Sequence, residues 1–326
     1  MRKLVLIFAA IALCGTMAFA SGSGEAGKKN ITVAYLTPGL DVPFWRDLAG
    51  GIHKAADKIG GITIIDMDSR NSAATQLKNA QDMITKGVNA IIISPTDSGS
   101  CPPVLELCEQ NKMPVIICDI GTDSGNYNSF VISDNYGGAN AAGKYIADFL
   151  KKNGWQGGEV GMINISMARV NGQNRYKGFK DAMDAAGSKI VVMLEAKDYS
   201  RKEAMGYAQD MLTAHPNLRA IFTAYDEATL GCVVAVETAG KQKDMIVAGF
   251  DGSPESIQYM KEGKVGAMAI QQGVLMGCTS LELVVDFLNG KSIVKRTEVP
   301  TFLVTMENLE ASMQQLIDNV FPDLKK

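Results

Sequence analysis

Histidine is almost absent: His53 and His215 are the only two in 326 residues. A His-rich metal centre is excluded with them, and no metal or cofactor is expected. Neither charge sign dominates, since 32 Lys and Arg face 35 Asp and Glu for a net charge of −3. That balance excludes a strongly basic nucleic-acid binder, whose affinity comes from phosphate neutralisation. Proline (10 residues) and aromatic residues (7%) are sparse, and no Cys-x-x-Cys, G-x-S-x-G or H-E-x-x-H motif occurs. What is present is ordinary for a globular protein: 46% hydrophobic and 21% charged residues with 33 Gly. At one to two hundred residues per domain, the length predicts two compact domains with ample core.

The first twenty residues read as an export signal. Arg2 and Lys3 supply the positive start, Leu4 to Ala12 an apolar stretch, and Ala18-Phe19-Ala20 the small-x-small pattern for cleavage. The apolar stretch is too short for a membrane span. Cys14 offers a rival lipid-anchored reading, but the bulky Leu13 before it fits poorly, so cleavage after Ala20 and a soluble exported protein are expected. Five cysteines remain beyond that point: Cys101, Cys108, Cys118, Cys232 and Cys278. An odd count cannot pair completely, and buried free thiols are the expected outcome.

After a Gly/Ser linker (21–30), apolar runs alternate with helical spacings. Strands are predicted at Ile31 to Leu36, Ile62 to Met67, Ala90 to Ser94, Val115 to Cys118 and Phe130 to Ile132. A second series follows at Glu159 to Ile165, Ile190 to Leu194, Ala220 to Thr223, Ile246 to Phe250 and Val265 to Ile270, with one more strand near Thr301 to Val304. Intervening helices include 44–58, 173–186 and 273–288. Near-continuous Ile/Val runs mark strands covered on both faces, hence parallel sheets with crossover helices. The fold class predicted is α/β: two Rossmann-like, doubly wound lobes of related design.

In such sheets ligands settle beyond the carboxyl ends of the strands. The residues there are Asp41 to Trp45, Pro95-Thr96-Asp97, Asp119, Tyr225-Asp226, Asp251 and Gln271. Phosphate-loop look-alikes do not compete. Gly22 to Gly27 sits in the linker, and Gly138 to Lys144 is followed by Tyr145 where a magnesium-holding Ser or Thr belongs. No acid, base or nucleophile constellation is nominated, so the chain is not expected to be an enzyme. The strand ends instead suit a sugar. Phe44, Trp45, Tyr199 and Tyr225 can stack on its C–H faces, and Asp119, Arg175, Asp251 and Gln271 can take its hydroxyls.

Asp41-Val42-Pro43-Phe44-Trp45, Pro95-Thr96-Asp97-Ser98, Ser133-Asp134-Asn135, Tyr225 to Gly231 and Gly249-Phe250-Asp251-Gly252 resemble, in order and spacing, the signatures of periplasmic sugar-binding proteins of the ribose-binding type. The resemblance implies a type I periplasmic binding protein, with lobes at 31–133 plus 272–299 and 134–271 plus 300–326. It implies a three-segment hinge near Ser133-Asp134, Gln271-Gln272 and Glu298 to Thr301. It also implies a monomer that delivers its ligand to an ABC transporter permease in the inner membrane, with a chemoreceptor as a compatible further partner. Carried over by position, Asp41 belongs to the first-strand signature, Phe44 and Trp45 stack on the sugar, and Ser94 stands at an asparagine contact. Asp119, Arg175, Tyr199, Tyr225, Asp251 and Gln271 complete the implied site. Ile120, Val42 and Tyr225 depart from the ribose pattern, which leaves open a different sugar, a polyol, a nucleoside or a furanosyl signal.

Overall fold

The computed structural model describes residues 30–321. The export signal, its cleavage after Ala20, the Cys14 alternative and nearly all of the linker lie outside those residues. The first half runs β1 (Ile31–Thr37), α1 (Pro43–Ile59), β2 (Ile62–Asp68), α2 (Ala73–Lys86), β3 (Ala90–Ile93), α3 (Pro102–Gln110), β4 (Val115–Cys118) and β5 (Ser129–Ser133). The second repeats the scheme with α4 (Asn135–Lys152), β6 (Glu159–Asn164), α5 (Val170–Ala186), β7 (Lys189–Glu195), α6 (Arg201–Ala214), β8 (Leu218–Thr223), α7 (Asp226–Thr238), β9 (Ile246–Phe250), α8 (Pro254–Lys261) and β10 (Ala267–Ile270). The chain closes with α9 (Gly273–Leu288), β11 (Arg296–Val299), β12 (Phe302–Thr305) and α10 (Leu309–Asn319).

The strands form two six-stranded sheets, ordered β11-β5-β4-β3-β1-β2 and β12-β10-β9-β8-β6-β7. Every pairing is parallel except β10 with β12. Strand alternation explains the layering: Val33, Tyr35 and Ile92 face one core of the first sheet, Ala34, Leu36, Ile91 and Ile93 the other. Because both faces are covered, the apolar runs are continuous rather than alternating. The chain passes between the sheets three times: after β5, between β10 and α9, and in the two residues joining β11 to β12. α9 returns to pack on α1. A Cβ on Gly51 would overlap the Val274 carbonyl, and one on Gly277 the Leu48 carbonyl, so glycines let the two helices touch backbone to backbone.

The predicted alternation matches these elements in order, with ends shifted by up to three residues, as at α10, which begins at Leu309 rather than Met306. Two differences matter most. β11 is a strand where only a crossing was expected, because Arg-Thr-Glu-Val at a sheet edge carries no apolar run. α5 begins three residues earlier than predicted. Gly138 to Lys144 lies inside α4, away from any phosphate-loop geometry. All five described cysteines are free, four buried and Cys278 half-buried. Burial holds their thiols above the ordinary range, Cys101 and Cys108 at about 12.

Candidate functional site

The carboxyl ends of the two sheets face one another across a cavity of about 720 Å³. The first sheet supplies Asp41, Phe44 and Trp45 from the turn into α1, and Asp119 from the end of β4. Pro43 opens α1, where a missing N–H costs nothing, and so aims the two rings that follow it. Phe44 and Trp45 meet edge to face, centroids 4.9 Å apart. The second sheet supplies Arg175 on α5, Tyr199 after β7, Tyr225 at the start of α7, Asp251 after β9 and Gln271 after β10. Nine of the ten sequence-nominated residues therefore line one space. Ser94 does not. It is fully buried behind the wall, its hydroxyl shared with Tyr35 Oη at 3.1 Å and its carbonyl accepting from Gln76 Nε2.

Backbone strain concentrates here. Six described non-glycine residues adopt positive φ, and all but Lys112 line the cavity: Arg70 (49°), Asn71 (52°), Asp119 (69°), Tyr199 (61°) and Asp251 (73°). Left-handed backbone is costly for residues with a Cβ, least so for Asn and Asp. It turns Asp119 and Asp251 inward directly at their strand ends.

The floor is a charged cluster. Arg175 Nε donates to Asn135 Oδ1 at 2.7 Å and Nη1 to the Ala224 carbonyl at 2.5 Å. The same nitrogen lies 3.4 Å from Asp251 Oδ1, and the guanidinium stacks 3.8 Å above the Phe250 ring centroid. Gln271 Nε2 donates to Asp251 Oδ1 at 2.6 Å. From the other lobe, Asp119 Oδ2 accepts from Asn171 Nδ2 at 3.3 Å. Asp119 Oδ1, Gln271 Oε1 and Tyr225 Oη are buried without a protein partner, a situation that native structures rarely tolerate. Tyr199 differs, since its hydroxyl accepts from the Ser166 N–H and its ring meets Tyr225 edge to face.

Burial dominates the acid–base behaviour. It pushes the Asp119 carboxyl up to about 6, with Arg175 opposing and Asp251 reinforcing the rise. Burial likewise raises Asp251 against the pull of Arg175 and Gln271, and lifts Asp226 to about 7. Desolvation lowers Arg175 from the usual guanidinium range, against the attraction of both carboxylates. Among the described residues no group of three His, Cys, Asp or Glu side chains is placed to hold a metal, and no helix is long and apolar enough to cross a membrane.

Asn71, Arg169 and Asn171 also line the cavity and were not nominated from sequence. Each follows a strand, Asn71 after β2 and the others after β6. The strand-end rule points at these loops as much as at the ones chosen. With α5 predicted from residue 173, positions 169 and 171 read as part of the preceding connection, whereas α5 begins at Val170 and places them at its first turn.

The periplasmic binding protein domain family matches residues 33–292. The chain is 35% identical over 308 residues to the ribose import binding protein of Salmonella typhimurium, covering 93% of this chain and 98% of that one. Its counterpart in Escherichia coli K12 is 34% identical over 311 residues, with 94% and 99% covered. A solved ABC transporter periplasmic solute binding protein from Actinobacillus succinogenes, with bound D-allose, is similar at a TM-score of 0.80 and 26% identity, covering 86% of this chain and 99% of that one. With the match spanning both sheets and both walls of the cleft, the chain belongs to the periplasmic binding protein family and is a homologue of the ribose import binding proteins.

Proposed function

We propose that this protein captures a monosaccharide between its lobes and presents it to the permease of an ABC importer. The observation that carries this reading is the set of buried, unpartnered groups, Asp119 Oδ1, Gln271 Oε1 and Tyr225 Oη, flanked by aromatic rings on both walls. Hydroxyl hydrogens satisfy such acceptors, and C–H faces suit the rings. The relatives support the ligand class: two are named for ribose import and a third holds D-allose. The ten nominated residues are the proposed ligand set, nine of them on the cavity wall and Ser94 buried behind it, hydrogen-bonded to Tyr35. The lobes are 31–133 plus 272–299 and 134–271 plus 300–326, and they close about the three sheet-to-sheet passages. The protein works as a periplasmic monomer after cleavage following Ala20, releases its ligand unchanged, and is compatible with a chemoreceptor partner. A polyol is the second reading, favoured by Tyr225, whose phenol adds bulk and a single hydroxyl to the second wall, and by a relative with bound myo-inositol.

Isothermal titration of the protein with D-ribose, D-allose and myo-inositol tests the assignment. At least one binds at one site per chain. Arg175→Ala and Asp251→Ala each weaken that ligand about a hundredfold or more, since hydrogen bonds to charged groups contribute about 1.5–3 kcal/mol each. If both variants, folded by circular dichroism, bind as tightly as the parent, the site is elsewhere. If no hydroxylated ligand binds the parent, the sugar reading fails.

A further inference from the structure

The segment between β6 and α5 reaches out of its own lobe. Arg169 holds the N-cap position of α5, where Ser, Thr, Asp or Asn would satisfy a helix N–H, and it makes no such bond. A cation there also opposes the helix dipole. Its side chain instead crosses the cleft. Nε donates to the Thr96 carbonyl at 3.0 Å and an Nη to Asn71 Oδ1 at 3.2 Å, both on the first lobe. The guanidinium sits 4.8 Å from the Tyr199 ring centroid, and only 8% of the residue is exposed. A buried guanidinium needs partners, and here the opposite lobe supplies them.

The helix end is completed from the same place. The Val170 N–H donates to Ser98 Oγ at 3.2 Å, so α5 is capped by a serine of the other lobe, and the Ser98 N–H donates to the Ala168 carbonyl at 3.3 Å. The Asn171–Asp119 bond joins the lobes one turn deeper. Each of these bonds joins protein atoms of one lobe to protein atoms of the other.

We propose that Arg169 and its trans-capped helix end form a clasp that closes the cleft independently of the ligand. Arg169 is a positioning residue: it fixes Asn71 and Tyr199 around the cavity and favours the closed arrangement. Opening the lobes strips the guanidinium of two acceptors and α5 of its cap. Affinity for any ligand that requires closure then contains a contribution made wholly by protein–protein contacts.

Small-angle scattering of the ligand-free protein tests the closure directly, without any ligand. Arg169→Ala and Ser98→Ala each give a larger radius of gyration than the parent, and Arg169→Lys, able to reach one acceptor, falls between. Identical profiles for parent and variants overturn the clasp. Binding is the second readout and rests on the sugar reading. Arg169→Ala weakens D-ribose, D-allose and myo-inositol by a similar factor, about tenfold, with their order unchanged. A loss confined to one ligand would make Arg169 a direct ligand contact and overturn the positioning role. If nothing binds the parent, the sugar reading fails while the scattering result still decides the clasp.

Discussion

At the scale of single residues, the cleft holds carboxyl groups in a medium that disfavours their charge. Asp119 and Asp226 carry folded-state pKa values of about 6 and about 7, against an ordinary value of 3.8. Raised carboxyl values mean that the folded chain binds protons more tightly than the unfolded one. The stabilisation is fully present below about pH 4 and is lost as pH rises through 6 to 7. Asp226→Asn removes that loss. The variant melts higher than the parent at pH 7.5 in the ligand-free state, and the difference shrinks towards zero at pH 4.5. Equal melting temperatures at pH 7.5 would show that Asp226 is not held out of water. The identity of Asp119, Arg175, Asp251 and Gln271 as cleft residues was legible because each directly follows an apolar run or falls in a recognisable signature. The left-handed backbone of Tyr199 and Asn71 was not legible, since a tyrosine gives no hint of positive φ. Ser94 was misplaced relative to the cavity because position in a signature carries no information about side-chain reach.

Among the elements, the closest meeting is that of α1 and α9, where Gly51 and Gly277 remove the side chains that would hold the backbones apart. Gly277→Leu forces the helices to separate and destabilises the first lobe by about 1–3 kcal/mol, the usual range for overpacking. Urea denaturation followed by circular dichroism measures the loss, and an unchanged midpoint would mean that the helices have slack. The alternation of strands and helices was readable almost throughout, because double burial makes each strand a short unbroken apolar run. β11 escaped for the opposite reason. Its Arg296 and Glu298 face solvent at a sheet edge, and the strand exists through its pairing with β5, in which Glu298 stands opposite Ile132, 166 positions earlier in the chain. Helix starts were less readable than helix bodies, and α5 shows why: its first turn is stabilised by Ser98 of the opposite lobe, a partner that no local pattern reveals.

For the whole molecule, two lobes of like design create the cleft, and their pairing could be inferred from the repetition of the βα series. Which faces turn towards each other could not, because the contacts across the cleft join loops from opposite lobes. The free cysteines belong to this scale too. Cys101, Cys108, Cys118 and Cys232 are buried, and burial keeps their thiols protonated and unreactive. The native protein therefore reacts slowly and incompletely with a thiol reagent such as dithionitrobenzoate, at Cys278 first, whereas the urea-unfolded chain releases a full equivalent from every cysteine. Rapid labelling of the native protein at all sites would contradict the buried arrangement. This shielding has a cost in time rather than in structure. On the proposed export route, with cleavage after Ala20, the chain enters an oxidising compartment carrying five thiols and is exposed to mispairing from the moment it emerges until its interior closes. Speed of folding, more than stability once folded, then governs how much of the secreted product arrives intact.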